Sequence, residues 1–352
     1  MSAVSLEPGF PRDRAAWSRL AEESTNVFLT PEWLESWWAH AEPRHEPITA
    51  TGLGAGGAPD WLAVLEPSRV GPLRCLRFAG HGPADELGPI CTPALRPAAG
   101  GDLVRAIRER GAWDVLICEQ LAGDVDWQSL LDARAIDSIP SPVVRFEHPT
   151  WEAFLAARTT KLRSQLRRDQ RGVDDAGPSR IDLADDSDRV DEVMHVLFAM
   201  HRDRWGDDSG FLAGGAEPFH RNFAQLALRK GWLRLFALEV NGAIQAVWYG
   251  FRFAGCDAHY QSGRSAGCPA GGGSLLVTTA IRAALEDGLS EYRFLRGGEA
   301  YKLRWATGGY DLQTLVSGVT RSGRAAATLA ARANGRGLKA LAGKAARRAV
   351  LA

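Results

Sequence analysis

The dipeptide Asn241-Gly242 constrains this chain more than any other feature. A two-residue hairpin turn of the favoured hand needs positive φ at both central positions, and Asn and Gly tolerate it best. Apolar, β-prone runs flank it at residues 232–240 and 243–253. A third run, 257–262, follows across Ala254-Gly255 and completes an antiparallel meander. Two helical patterns come before it. Residues 188–205 carry Val190, Val193, Met194, Leu197, Phe198 and His201, and residues 219–230 stop at Gly231. After it come a Gly-rich loop at 263–273, an apolar helix from about 274 to 286, and runs 292–295 and 312–318 that are expected to pair. The order helix, helix, meander, loop, helix, strand, strand predicts an α+β fold and excludes a doubly wound parallel sheet.

At 352 residues the chain is long enough for two domains. The N-terminal half opens on a helix after Thr30-Pro31, with Trp33, Leu34, Trp37 and Trp38 on its apolar side. Strands are predicted at 48–53, 61–65, 73–78 and 113–119, a Gly/Pro-rich loop at 80–93, and a helix near 102–110. A basic helix with Arg158, Lys161, Arg163, Arg167, Arg168 and Arg171 follows Thr150 and is expected to join the halves. Its charge reads either as a solvated face or as a phosphate-contacting one. The expected division is an N-terminal lobe over 1–150, a linking helix over 151–175, a C-terminal lobe over 176–320 and a basic tail over 321–352.

Formal net charge is zero, yet no acidic residue follows Asp311 while eight Lys and Arg do. An acidic body with a basic tail is the result. The tail reads as disordered or as a solvated helix, or as a surface for RNA, acidic lipid or the chain's own body. Five cysteines without CxxC spacing suggest neither a disulfide framework nor a metal site. No apolar run reaches bilayer length and the N-terminus lacks a secretion-signal order, so a cytoplasmic protein without a transmembrane segment is expected.

The segment most able to carry chemistry runs from Tyr260 to Leu276, where a strand enters a Gly-rich loop that opens into an apolar helix. Bare amides and the positive helix end make such a junction an anion site, and Gly271, Gly272 and Gly273 allow close backbone approach. The alternative is a plain flexible connector. No Gly-Lys-Ser/Thr closes the loop, so it is not a Walker loop, and the preceding meander excludes a dinucleotide fingerprint.

Several segments together resemble the GNAT superfamily, and within it the CelD/BcsL-like acetyltransferases related to the Fem aminoacyltransferases. They are Phe28-Leu-Thr-Pro-Glu-Trp33 with Trp37-Trp38, Lys161-Leu-Arg with Leu166-Arg-Arg168, His201 with Trp205, Gly231-Trp-Leu-Arg-Leu, and Gly297-Gly-Glu-Ala-Tyr-Lys302 with Trp305. The resemblance spans about residues 20–318. It implies tandem GNAT-like lobes, each a mixed, mostly antiparallel sheet flanked by helices, with the active site in the C-terminal lobe. It also implies acetyl-CoA or another acyl-CoA as co-substrate without a metal. The strand edge carrying Gln261 and Ser262 would meet the pantetheine arm, and Arg264, Gly267, Gly271, Gly272, Gly273 and Ser274 would hold the phosphates. The superfamily's phosphate signature is met only in part by Arg264-Ser-Ala-Gly267-Cys-Pro269, since Pro269 lacks an N–H.

Amine acylation needs a base for the amine, a donor for the oxyanion and an acid for the leaving group. Glu299 and His201 are the base candidates and Tyr260 and Tyr301 the acids. Lys302 and Arg304 suit a phosphate or carboxylate, with Trp205 and Trp305 beside the substrate. At a helix end His201 also suits carbonyl capping, and His220 reads as structural. The expected function is N-acyl transfer from acyl-CoA to an amine of a small molecule, an amino sugar or a cell-envelope precursor. A Fem-like transferase using aminoacyl-tRNA is the second reading, and a non-catalytic scaffold of the same fold the third. The loop from His81 to Asp85 is expected to help bind the acceptor.

Overall fold

In the computed structural model, residues 4–40 and 45–332 are described. The chain forms two compact units, Met1–Pro140 with Tyr310–Ala352, and Ser141–Gly309.

The first unit begins with β1 (Val4–Pro8), α1 (Arg14–Glu23) and α2 (Pro31–His40). Asp13 caps α1 by accepting from the Ala16 amide, and the indole of Trp17 donates to the Leu29 carbonyl at 2.8 Å. Three antiparallel strands follow, β2 (Ile48–Leu53), β3 (Pro59–Val70) and β4 (Leu73–Phe78). The helix α3 (Arg96–Arg110) then crosses over to β5 (Val115–Ala122), which lies parallel to β4 over Cys75–Arg77. A short α4 (Trp127–Leu130) leads to β6 (Ala133–Arg145), whose residues 133–140 belong to this unit.

The second unit repeats this element order. After α5 (Trp151–Ala156) and α6 (Thr160–Asp174) come β7 (Ser179–Leu183), α7 (Ser187–Trp205) and α8 (Glu217–Arg229). The meander is β8 (Leu233–Val240), β9 (Ala243–Phe253) and β10 (Cys256–Arg264). Asn241 and Gly242 take φ of 53° and 78°, the turn the sequence predicts. α9 (Gly272–Glu286) then crosses to β11 (Glu291–Arg293), parallel to β10 over Cys256–Ala258. α10 (Ala300–Trp305) closes the unit. The chain returns to the first unit in β12 (Gly308–Gly318), which pairs with β5, and ends its described part in α11 (Arg321–Arg332).

Each unit is thus strand, two helices, three-stranded meander, helix and parallel strand. This is the α+β architecture of tandem lobes, each with a mostly antiparallel sheet and helices against it. The core of the second unit joins Trp248, Tyr292 and Phe294 of the sheet region to Ile281 and Leu276 of α9. Trp151, Phe154 and Trp305 stack on one another in the same core.

Three expectations need correction. The basic segment after Thr150 is two helices, and Trp151, Phe154, Leu162 and Val173 bury in the second unit's core rather than linking two bodies. The C-terminal strands do not pair with each other: Glu291–Arg293 pairs with β10 and β6, whereas β12 pairs with β5. Residues 321–332 are a helix, but one with buried positions rather than a solvated one. Gly323 presses on the Asp114 carbonyl, and Ala327 buries against Cys75, Val115, Ile117 and Val316. Residues 333–352, the rest of that basic segment, lie outside the described residues.

Candidate functional site

The second unit contains a cleft of about 440 Å³ walled by α6, the end of β10, the first turn of α9, and α10. Strand geometry opens it. β10 has β11 beside it only over Cys256–Ala258, while β9 accompanies it to Arg264. Among the described residues, β10 has no strand partner on its β11 side from His259 onward. A bulge between His259 and Gln261 shifts the register, so Ser262 and Arg264 come to line the cleft.

At the loop's start the Ser265 amide donates to Gln245 at 2.9 Å. Cys268 donates to Ser265 and Gly272 to Pro269, winding the loop into successive turns. Gly271 is needed for two reasons. Its φ is +92°, and a Cβ there would stand 2.5 Å from the Asp169 Cα of α6. In α6 itself a Cβ on Gly172 would meet the Ala270 carbonyl at 2.5 Å, so helix and loop touch backbone to backbone. The Leu275 amide is taken by the Gly271 carbonyl. The Gly273 and Ser274 amides donate to no carbonyl among the described residues, and both residues line the cleft. The Gly273 amide turns to the Cys268 sulfur, while the Ser274 amide donates to no group among the described residues and sits at the positive end of a 15-residue helix.

Of the residues read from sequence, Ser262, Arg264, Gly271, Gly273, Ser274, Tyr301, Arg304 and Trp305 line this cleft. The others stand elsewhere. Gly272 is buried behind the turn against Cys268 and Leu238. Tyr260 packs with Phe211, His220, Tyr249 and Phe251. His201 is buried between Trp205 and Phe211, with Ser209 at 3.4 Å, and burial pulls its pKa down to about 4. His220 bonds the Phe211 carbonyl at 3.2 Å in full burial, which lowers it to about 3. Lys302 is buried, donates to the Arg296 carbonyl at 2.5 Å and pairs with Glu299 at 3.1 Å, so it braces the entry to α10. The Glu299 carboxylate is largely exposed at the head of that helix. Trp205 is 39% exposed under the Arg204 guanidinium. Gln261 and Gly267 lie on the strand and loop outside the lining.

Sequence reasoning missed the α6 wall. Leu162, Gln165 and Asp169 all face the cleft, and Asp169 is only 6% exposed. The available signal was polar Gln165 and Asp169 falling in the inward stripe set by Leu162 and Val173. Arg204 and Trp248 were missed as well. Burial, and next the Glu299 charge, hold the Tyr301 phenol well above its ordinary pKa, so it stays a hydrogen-bond donor. No cluster of three or more His, Cys, Asp or Glu among the described residues is placed to hold a metal ion, and no helix is long and apolar enough to cross a membrane.

Residues 160–303 match the family model described as an acetyltransferase (GNAT) domain. No curated protein matches the sequence. Three solved structures are similar in fold. FemX is 10% identical, with 88% of this chain and 96% of that one covered at a TM-score of 0.61. L-PGS from Bacillus licheniformis is 14% identical, covering 94% and 99% at 0.56. A conserved protein of unknown function from Bacteroides thetaiotaomicron is 12% identical, covering 90% and 100% at 0.56. At these identities the likeness concerns the fold alone. The match of residues 160–303 to a GNAT acetyltransferase domain supports an acyltransferase.

Proposed function

We propose that the chain is an N-acyltransferase of the CelD/BcsL-like kind, moving an acyl group, in the first instance acetyl, from acyl-CoA to a primary amine. The observation that carries this reading is the β10 edge without a β11 partner beyond Ala258, running into the open Ser274 amide at the start of α9. A thioester donor needs that pairing of features: peptide-like edges for the pantetheine amides and a positive helix end for its phosphates. Arg264 and Arg304 add charge at the mouth.

In this reading the acceptor nitrogen attacks the thioester carbonyl and the tetrahedral oxyanion takes a β10 amide. The sulfur leaves with a hydrogen bond from Tyr301, whose raised pKa suits donation better than full proton transfer. Glu299, two residues from Tyr301 at the head of α10, takes the amine proton through water. His201, buried between Trp205 and Phe211 and outside the cleft lining, is not placed to take that proton. The acceptor is an amine of a small metabolite, an amino sugar or an envelope precursor, met in the cytoplasm where acyl-CoA is made.

The test is calorimetric titration with acetyl-CoA, followed by Arg264→Ala and Ser274→Ala. Wild type binds in the micromolar range, and each variant weakens binding about three- to tenfold, the worth of one hydrogen bond or partly screened ion contact. No heat at millimolar acetyl-CoA would sink the donor assignment.

A second reading, an aminoacyl-tRNA donor, is favoured by one observation. Lys161, Arg167, Arg168 and Arg171 are exposed on α6, the helix whose other side walls the cleft. It predicts salt-sensitive retention of tRNA that is lost when these four are neutralised.

A further inference from the structure

Asp169 is out of place for a plain phosphate site. It is a carboxylate on a basic helix, 6% exposed, and packed against Gly271 at the turn where an anion is expected. Its Oδ1 accepts from the Gln165 side-chain amide at 2.7 Å, and its Oδ2 is buried with no donor among the described residues. Arg168 donates to the Gln165 Oε1 at 2.7 Å, which fixes the amide with its Nε2 toward Asp169 Oδ1. No arginine of the cleft forms an ion pair with Asp169, although Arg204, Arg264 and Arg304 share its lining.

The cleft thus carries two signs of charge at separate points. Bringing a pyrophosphate alone to the α9 turn sets like charges together, and burial amplifies the repulsion. A buried carboxylate oxygen lacking a donor is relieved most by a charged nitrogen, whose hydrogen bonds are roughly twice as strong as neutral ones. We propose that the cleft reads a cation as well as an anion. Asp169, steadied by Gln165, receives a primary ammonium of the ligand, while the open Ser274 amide at the α9 N-terminus and Arg264 take its neighbouring phosphate or carboxylate. This rests on the cleft being the acyl-transfer site, and it makes Asp169 a specificity-determining residue. The ammonium belongs either to the acceptor amine or to an aminoacyl group on the donor.

The probes are inorganic phosphate, O-phosphoethanolamine and its N-acetylated form, titrated against the full chain by thermal shift. O-phosphoethanolamine is expected to bind about tenfold more tightly than the other two, the size of one charge-assisted hydrogen bond. Asp169→Asn is expected to reduce that preference to twofold or less without weakening phosphate. Equal affinities in the wild type overturn the proposal, and so does a preference that survives in Asp169→Asn. The wild-type comparison with the N-acetylated probe decides alone if the variant does not fold. Titrating ethanolamine against N-acetylethanolamine in saturating CoA separates the sources, since neither probe needs the phosphate turn: an ammonium preference there marks the acceptor's amine, and its absence marks an aminoacyl donor. Failure of acetyl-CoA to bind, with the ammonium preference intact, removes the CoA reading and leaves the role of Asp169 standing.

Discussion

Gly271 and Gly273 look alike in sequence and differ in what they do. Gly271 takes φ of +92°, and a Cβ would stand 2.5 Å from the Asp169 backbone, whereas nothing lies within 4 Å of a Cβ on Gly273. A left-handed alanine costs about 1–2 kcal/mol, and displacing packed backbone adds about 1–3 kcal/mol. Gly271→Ala is therefore expected to lower stability by about 2–5 kcal/mol, and Gly273→Ala to leave it unchanged or raise it by up to about 1 kcal/mol. Urea denaturation of both measures it, and equal losses would show that the turn is not pinned to α6. The anion turn was legible because glycine, helix onset and an apolar stripe are all local signals. Asp169 was not, since among six basic residues a carboxylate reads as one more solvated charge until the α6 packing is known.

α7 and α8 are joined by a pair of buried histidines, of which the sequence weighs His201 as base or cap and reads His220 as structural. His201 and His220 lie on either side of Phe211, with ring centroids at 4.7 and 4.3 Å. Burial lowers them to about 4 and about 3, so the folded protein keeps both neutral at pH values where the unfolded chain protonates them. A depressed histidine pKa means that U binds the extra proton, so stability is full above about 6.5 and falls as pH drops through that value. For the two together the loss between about pH 7.5 and 5.5 is roughly 2–3 kcal/mol. Buried His259 is depressed as well and adds to the loss, so denaturant midpoints at the two pH values are expected to show a slope that His201→Phe lowers by about a third. A flat profile would mean that these rings are protonated in the fold. At this scale the sequence served well for elements that carry their own pattern, and the predicted strand 232–240 and β8 differ by one residue. It missed pairing. β11 has only three residues, and it exists because β10 and β6 flank it. No residue within Glu291–Arg293 announces either partner.

For the whole molecule the order of units along the chain matters more than any contact. The second unit is one continuous segment, while the first is completed only after it by residues from Tyr310 on. β12 is no trailing strand: Leu312, Leu315, Val316 and Ser317 are at most 3% exposed, and the strand pairs with β5 over Leu312–Ala122 to Gly318–Val115. The Gly123 amide also donates to the Asp311 carbonyl at 2.7 Å. A linear reading of the sequence assigns this strand to the C-terminal lobe, because only tertiary pairing returns it to the first. A chain ending at residue 309 consequently leaves β5 with an unpaired edge and exposes the apolar set that β12 covers. Its first unit is expected to lose cooperative unfolding, while residues 141–309 keep theirs. Two-transition calorimetry of the truncated and full chains reads this directly. The second unit's transition should stay within a few degrees of its original position, and the first unit's should disappear. A truncated chain that retained both transitions would mean that the first lobe closes its sheet without β12, and the division of the chain would then fall near residue 150, where linear order alone puts it.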